Sequence, residues 1–238
     1  MKKITTTIFA IALSLGVFAQ ENNGAFSFGA RVGMGIGLSE PREFRHFAGQ
    51  MPFNPPAGAI SNITHNSEVN FNIALYGNFA FGNHFSLQPE LNFMIYQGYD
   101  MRMNFYAFGT GTPPPVNADL TYNSLDIPLL AKINFLGSRN ASFGLLVGPH
   151  MSIPLGRAEF WREIDGREFE DKFDIDNSVV FGLTAGLFCR IPVGPGRIVA
   201  DFRFVHDFEG IKAFGIRDRY EVLRRNALVL SLGYEISF

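Results

Sequence analysis

The chain has 238 residues, 47% of them hydrophobic, and a formal net charge of -2. This charge gives no reason to expect nucleic acid as a partner, and the single cysteine, Cys189, excludes an intramolecular disulfide and argues against a thiolate metal cluster. Beyond the N-terminal region no apolar run reaches the roughly 18 residues that a membrane-spanning helix requires.

The N-terminus has the pattern of a secretory signal peptide. Lys2 and Lys3 precede an apolar run over residues 8–18, and residues 17–19 (VFA) form a small-residue cleavage site. An apolar run of this length is short of the roughly 20 residues that a spanning helix needs, although an uncleaved anchor is the alternative. We therefore predict a signal peptide over residues 1–19 and an exported domain over residues 20–238 that begins at Gln20.

Eight segments alternate apolar and polar residues with a period of two, which predicts β-strands. The predicted strands are residues 25–38, 68–81, 85–99, 125–135, 141–155, 178–192, 197–208 and 227–238. The connections alternate between long and short: 39–67, 82–84, 100–119, 136–140, 156–177, 193–196 and 209–226. The apolar phase slips near Asn123, which predicts a β-bulge at the start of the fourth strand.

The last strand shows the pattern most clearly. One face is apolar and the other is small or polar, as a lipid-facing barrel strand requires. The apolar face holds Leu228, Leu230, Leu232, Tyr234, Ile236 and Phe238. Short turns at one end and long loops at the other are typical of outer-membrane barrels. We therefore predict one all-β domain, an eight-stranded antiparallel up-and-down transmembrane β-barrel in the cell outer membrane.

Aromatic residues support this interpretation. Eight phenylalanines fall near the short-turn end, as an interfacial girdle of a membrane barrel would. They are Phe26, Phe28, Phe79, Phe81, Phe85, Phe135, Phe143 and Phe238. The final residues Tyr234, Ile236 and Phe238 also resemble the C-terminal signal by which bacterial outer-membrane barrels are recognised for insertion.

Three segments resemble a broad family of bacterial outer-membrane β-barrels. They are LQPELNFMIYQG (87–98), LDIPLLAKINF (125–135) and LLVGPHMSIPL (145–155). That family includes the PorT-type barrels associated with type IX secretion. The resemblance covers nearly all of the mature chain, but its motifs mark the fold and not a chemistry. It implies an outer-membrane location and, as one candidate role, a place in a secretion apparatus.

Seven charged residues fall on the inward faces of the predicted strands. They are Arg31, Glu90, Lys132, Arg190, Asp201, Arg203 and Glu235. The interior of an eight-stranded barrel is just wide enough for side chains to fill it, and buried charges must be paired. We therefore predict a closed lumen with a polar network, with a gated pore or a proton path as the alternatives. Glu90 and Lys132 lie on neighbouring strands at similar height, so we expect them to pair.

The third long loop is dense in charge. Its carboxylates suit Ca²⁺, which prefers oxygen ligands, and are Glu163, Asp165, Glu168, Glu170, Asp171, Asp174 and Asp176. Four cations are interleaved with them, namely Arg157, Arg162, Arg167 and Lys172. This interleaving predicts a solvated loop that neutralises itself.

Two histidine pairs are candidates for catalysis, which needs a nucleophile beside a base. His150 and Ser152 share a strand face, and His206 precedes Asp207. The sequence identifies no third group to orient the base and matches no enzyme motif. We therefore predict no catalytic residues, no cofactor and no metal.

These observations together predict an integral outer-membrane barrel with a filled lumen and a structural or binding role through long extracellular loops. A subunit of a secretion apparatus is the first alternative, and a barrel enzyme or a soluble lipocalin-like binder is more distant. The expected partners are outer-membrane lipid and lipopolysaccharide, the barrel-insertion machinery during biogenesis, and a candidate envelope protein, with no nucleic acid.

Overall fold

The computed structural model describes residues 26–38, 60–66, 69–105, 116–137, 141–164, 167–175, 179–214 and 219–238. The predicted signal peptide and its cleavage site lie outside these residues. No helix long and apolar enough to cross a membrane is found in the described part of the chain.

The described residues form twelve strands. They are β1 (Phe26–Gly37), β2 (Ile60–Asn66), β3 (Val69–Phe81), β4 (Phe85–Phe105), β5 (Val116–Gly137), β6 (Ser142–Ile164), β7 (Arg167–Asp174), β8 (Val180–Val193), β9 (Gly196–Asp207), β10 (Ile211–Phe214), β11 (Arg219–Leu223) and β12 (Asn226–Ser237).

Eight of these strands close into a barrel. The order around the ring is β1, β3, β4, β5, β6, β8, β9, β12 and back to β1, and every neighbouring pair is antiparallel. The ring is closed between the first and last strands, where the register runs from Ser27 opposite Ser237 to Gly37 opposite Ala227. The predicted eight-stranded antiparallel up-and-down barrel is confirmed.

The period of two separates the lumen from the outer surface. On β12, Ser231 and Glu235 are buried, whereas Leu230 and Leu232 are 57% and 58% exposed. Successive side chains of a strand point to opposite faces, so this alternation gives the barrel a polar interior and an apolar outer wall. Such an inverted arrangement is stable where lipid covers the wall.

A bulge on β4 changes the direction of one predicted side chain. The β4–β5 register shifts between Met94 and Gln97, opposite Asn123. Tyr96 has a φ of 56°, and its backbone N–H donates a 3.1 Å hydrogen bond to Oδ1 of Asn123. An irregularity is thus present near Asn123, but the extra residue lies on β4, and the alternation of β5 continues unbroken through Tyr122 and Ser124. In a regular strand Tyr96 would share the inward face of Glu90 and Asn92, but it is 56% exposed, because the one extra residue places Gln97 in the lumen instead.

Three neighbouring strands continue far beyond the barrel. β4, β5 and β6 contain 21, 22 and 23 residues, while β1 and β9 contain 12 each. A membrane-crossing barrel strand needs about 9–11 residues. The extensions pair with β2 on one side and β7 on the other. We call this five-stranded unit the projecting sheet (residues 60–66, 100–105, 116–121, 157–164 and 167–174).

The projecting sheet corrects the predicted loops. Much of the supposed loops 100–119 and 156–177 is paired strand, β2 lies within the supposed loop 39–67, and β10 and β11 form a separate hairpin within 209–226. In β4 and β5 the period of two continues into the extension, with Met101, Met103, Phe105, Val116, Ala118 and Leu120 at alternate positions, so these extensions were predictable from the sequence. In β6 and β7 charged residues interrupt the apolar face, and the alternation is weak.

Candidate functional site

Four charged side chains form a lower cluster in the lumen: Arg31, Glu90, Asp201 and Arg203. The carboxylate of Glu90 accepts hydrogen bonds of 2.7 and 2.8 Å from Arg31 and of 2.8 and 3.0 Å from Arg203. Asp201 accepts bonds of 2.6 and 3.0 Å from Arg203 and lies 3.5 Å from Arg31. Two guanidinium groups and two carboxylates thus neutralise one another in a buried site, as the cost of burying charge requires.

Glycines on β1, the strand that carries Arg31, make room for the polar side chains that fill the lumen. A Cβ added at Gly29 would strike the ring of Tyr76, and one at Gly33 would strike the side chains of Asn72 and Ser231. Small residues on one wall therefore admit large polar side chains from the next, as a narrow barrel requires.

The expected direct pairing of Glu90 with Lys132 is wrong. Lys132 Nζ donates a 2.7 Å hydrogen bond to Gln88 Oε1 and lies 4.2 Å from the centroid of the Phe188 ring, at cation–π distance. Gln88 Nε2 donates in turn to Glu90 Oε1. Gln88 stands between the two charges, because both oxygens of Glu90 are held by two guanidinium groups.

A second, upper cluster is centred on Arg225, just before β12. Arg225 Nη1 donates hydrogen bonds of 2.6 Å to Gln97 Oε1 and of 2.6 Å to Asp126 Oδ2, and Nη2 donates one of 2.9 Å to Asp207 Oδ1. His150 Nε2 lies 2.7 Å from Asp207 Oδ1. Side chains from four different strands thus converge on one buried cation.

His150 has the orienting partner that the sequence did not identify. Its Nε2 faces Asp207, and its Nδ1 lies 3.0 Å from the hydroxyl of Thr184. The contacts of the His150 ring among the described residues are to these two side chains and to Arg225, while Ser152 is buried on the same face. A cavity of only about 10 Å³ separates this region from the lower cluster. That volume accommodates at most one water molecule.

His206 and Asp207 point to opposite sides of β9. The ring of His206 lies between Phe204 and Phe208 on the outer wall, with centroid separations of 6.3 and 5.8 Å. Its Nδ1 is 2.6 Å from Asn226 Oδ1. The two residues considered together as a catalytic pair are therefore not one site.

Asp126, Asp207 and Arg225 are charged lumen residues that the predicted network lacked. Asp126 shares its face with Lys132, and Asp207 shares its face with Asp201 and Arg203, so the period of two was a sufficient signal for both. Arg225 lay in a predicted loop, and its partners come from other strands. No local pattern marks it.

The remaining inward charges line the lumen at the short-turn end. Glu235, fully buried, lies 3.7 Å from Arg190 and 3.4 Å from Arg197. Arg190 Nη2 also donates a 2.6 Å hydrogen bond to Asn134 Oδ1. The structure thus places all seven predicted network residues in the lumen, but at two levels.

Residues 18–212 match the family model described as "Outer membrane protein beta-barrel domain". The chain belongs to this family. Membership implies an outer-membrane location, with the short turns facing the periplasm and the projecting sheet facing outward. No curated protein sequence matches the chain.

Three solved structures illustrate the similarity of this outer-membrane barrel domain to known proteins. Neisserial surface protein A (NspA) is 12% identical over 90% of this chain and 97% of that one, with a TM-score of 0.43. OprG from Pseudomonas aeruginosa is 11% identical over 91% and 98%, with a TM-score of 0.45. Ail of Yersinia pestis is 10% identical over 90% and 100%, with a TM-score of 0.38. Structural similarity at these TM-scores does not indicate a shared function.

The projecting sheet of this barrel domain carries ion pairs between its strands. Arg157 and Asp174 are 2.7 Å apart, and Lys172 lies 2.9 Å from Glu170 and 3.2 Å from Glu159. Hydrogen bonds to Glu170 and Glu159 raise the pKa of Lys172 above its usual value. Two of the carboxylates that suit Ca²⁺, Glu170 and Asp174, are thus paired with cations. Among the described residues no group of three or more His, Cys, Asp or Glu is placed to hold a metal, and Asp165 and Asp176 lie outside them.

The C-terminal strand of the barrel domain presents its predicted signal residues outward. Tyr234 donates a 3.1 Å hydrogen bond to the carbonyl of Val193, Ile236 is 42% exposed and Phe238 is 74% exposed. The Phe238 ring stacks on Phe26 at 6.3 Å. Their role in insertion stays a prediction. The exposed side chains of Ile236 and Phe238 are accessible to another protein or to lipid.

Proposed function

We propose that the protein is a non-conducting outer-membrane barrel that acts as a binding protein through its projecting sheet. The observation that carries this proposal is the length of β4, β5 and β6, whose 21–23 residues exceed what a membrane crossing needs. A sheet held rigidly above the membrane by three barrel strands is a suitable platform for a partner.

The filling of the lumen supports a non-conducting barrel. Glu90 and Arg225 are buried at the centres of two clusters, and each is bonded to strands on other sides of the ring. Ions would have to break both clusters in order to pass. The barrel wall then serves as a scaffold, and the projecting sheet is the part that is exposed to a binding partner.

The surface of the projecting sheet supports a protein or glycan partner. Trp161 is 40% exposed on one face of the sheet, opposite Glu170 in the register, and Phe169 is 43% exposed on the other face, opposite Arg162. Aromatic side chains surrounded by polar groups are the usual anchors of protein interfaces. Charged pairs such as Arg157 with Asp174 add orientation more than affinity.

A second candidate is a subunit of a secretion apparatus of the PorT type. It is supported by the resemblance of residues 87–98, 125–135 and 145–155 to that broad family. A machine subunit would use the same projecting sheet or the periplasmic turns against fixed partners. Lipid, lipopolysaccharide and the insertion machinery are partners in either case.

We also propose that the protein is exported by its N-terminal 19 residues and has no catalytic activity. His150, Thr184 and Asp207 lie in line, but they are buried in a filled lumen beside a cavity of about 10 Å³. An acyl substrate has no room to reach the hydroxyl there.

Site-specific photo-crosslinking in cells tests the binding role. A photoreactive residue replaces Trp161 in one strain and Leu230, a lipid-facing residue with 57% exposure, in the matched control. The barrel is purified by a tag inserted after Gln20 and its adducts are identified by mass spectrometry. We expect a protein adduct in fixed proportion at position 161 and lipid adducts at position 230. Identical adducts at both positions would contradict the proposal, and envelope secretion proteins at position 161 would favour the second candidate.

A further inference from the structure

The periplasmic mouth of the lumen opens into a cavity of about 590 Å³. Polar side chains from six barrel strands line it, namely Ser27, Asn78, Ser86, Asn134, Arg190 and Arg197. The cavity lies at the opposite end of the barrel from the projecting sheet. An activity here is therefore independent of the proposed binding role.

Cations outnumber carboxylates around this cavity. Arg190 and Arg197 line it. Lys132 lies directly opposite Ser86, another lining residue, in the β4–β5 register. Among the described residues, the carboxylate within 4 Å of these arginines is that of Glu235, at 3.7 and 3.4 Å. Lys132 has the neutral partners Gln88 and Phe188. The two arginines thus share one nearby carboxylate, and Lys132 has none in direct contact among the described residues.

Two buried polar atoms at the cavity have no partner in the described part of the chain. They are Nε of Arg190 and the hydroxyl of Ser86, whose residues are 6% and 2% exposed. Buried polar groups without a hydrogen bond are costly, and they are normally satisfied by another group. Both residues line the cavity, so their unpaired polar atoms lie next to a ligand bound there.

We propose that this cavity is an anion-binding site that takes a carboxylate or phosphate group presented from the periplasm. Arg190 and Arg197 would hold the oxyanion by charge-assisted hydrogen bonds, and Ser86 would donate a further bond. Guanidinium groups match the geometry of both anions. The anion would also offset the excess positive charge at the mouth. Glu235 orients the two arginines from the lumen side.

The first test uses the wild-type barrel in detergent with inorganic phosphate as the probe. Phenylglyoxal modifies accessible arginines, and mass spectrometry gives the rate at each position. We expect phosphate, against sodium chloride of equal ionic strength, to slow modification of Arg197 several-fold. Its side chain is 40% exposed. Arg157, 62% exposed on the projecting sheet, is the matched control and should react at an unchanged rate. Equal rates at Arg197 with and without phosphate would overturn the proposal.

Two further arms identify the anion and the residue. Acetate replaces phosphate in one arm, so protection by both anions indicates a general oxyanion site and protection by phosphate alone indicates a phosphate group. In the other arm, titration calorimetry compares wild type with Arg190→Gln and Arg157→Gln. We expect Kd for phosphate to rise at least tenfold in Arg190→Gln and to stay unchanged in Arg157→Gln. Equal affinities in all three proteins would overturn the assignment. If Arg190→Gln fails to fold, the wild-type protection result alone decides.

Discussion

Arg203 and Glu90 form a bidentate ion pair across the lumen, although 113 residues separate them in the sequence. Arg203 Nη1 is 2.8 Å from Glu90 Oε2, and Nη2 is 3.0 Å from Oε1. They lie on β9 and β4, which stand opposite each other in the ring of eight strands. The pair therefore ties two opposite walls of the barrel together, and it is central to the stability of the closed lumen.

We expect Glu90→Gln to destabilise the barrel strongly. The substitution leaves Arg31 and Arg203 with Asp201 as their nearest carboxylate, and breaking a buried ion pair costs about 3–5 kcal/mol. Denaturant unfolding in lipid vesicles, followed by heat-modifiable gel migration, measures the free energy. Asp174→Asn is the control, because its pair with Arg157 is exposed and exposed pairs contribute less than about 1 kcal/mol. Equal losses of unfolding free energy in Glu90→Gln and Asp174→Asn would show that water reaches the lower cluster.

Lys132→Met should have a much smaller effect than Glu90→Gln. Lys132 has no carboxylate in direct contact among the described residues, and it lies against the ring of Phe188. Replacing a buried charge by an apolar side chain of similar volume is often neutral or stabilising. We expect the free energy of unfolding to stay within about 1.5 kcal/mol of wild type, since Gln88 loses one hydrogen bond. A loss of unfolding free energy as large as that of Glu90→Gln would instead support the direct ion pair between Lys132 and Glu90 that the sequence predicts.

His150 should carry a proton on Nε2, the ring nitrogen that faces Asp207. The Asp207 carboxylate only accepts hydrogen bonds, so this nitrogen must donate, and Nδ1 shares a hydrogen bond with the hydroxyl of Thr184. Nitrogen-15 NMR of labelled histidine detects the Nε2 proton directly. Thr184→Val leaves Nδ1 unpaired and should cost about 1–3 kcal/mol. Thr184→Ser keeps the hydroxyl and serves as the control. An unprotonated Nε2 in the wild type would contradict the hydrogen-bond assignment.

The wild-type barrel should show no discrete conductance in planar bilayers. Each cluster closes the lumen at a different level, so removal of one leaves the other. We expect Glu90→Ala with Arg203→Ala to remain closed, and the addition of Arg225→Ala to produce openings. Gel migration after heating checks that each variant is folded. Openings in the wild type, or in the double variant alone, would show that the two clusters do not close the lumen independently.

Gly33→Ala should destabilise the barrel through overpacking. The added methyl group would strike the side chains of Asn72 and Ser231 and lie 2.7 Å from the carbonyl oxygen of Leu230. Overpacking of a well-packed interior costs about 1–3 kcal/mol. Gly77→Ala is the matched control on the neighbouring strand, since its nearest contact is the ring of Phe26 at 3.3 Å. Equal unfolding free energies for the two variants would contradict this account of the β1 glycines.

The projecting sheet shows where sequence patterns stop being informative. Residues 157–164 and 167–174 alternate polar and charged side chains with a few apolar ones. A barrel strand is marked by a strict apolar face, because lipid covers it. Above the membrane that constraint ends, so β6 and β7 carry charged residues that interrupt the apolar face, whereas β4 and β5 keep the alternation as far as Phe105 and Val116.

The sequence by itself determined the number of barrel strands, their inward and outward faces and the position of an irregularity near Asn123, though not that its extra residue lies on β4. These depend on a local period of two, which each segment carries without reference to the others. Only the tertiary structure decided which charges meet. Glu90 binds Arg203 and not Lys132, and Arg225 joins Asp126 and Asp207, because ring order and register bring opposite walls to the same height. That height is set by all eight strand pairings at once, and no single segment encodes it.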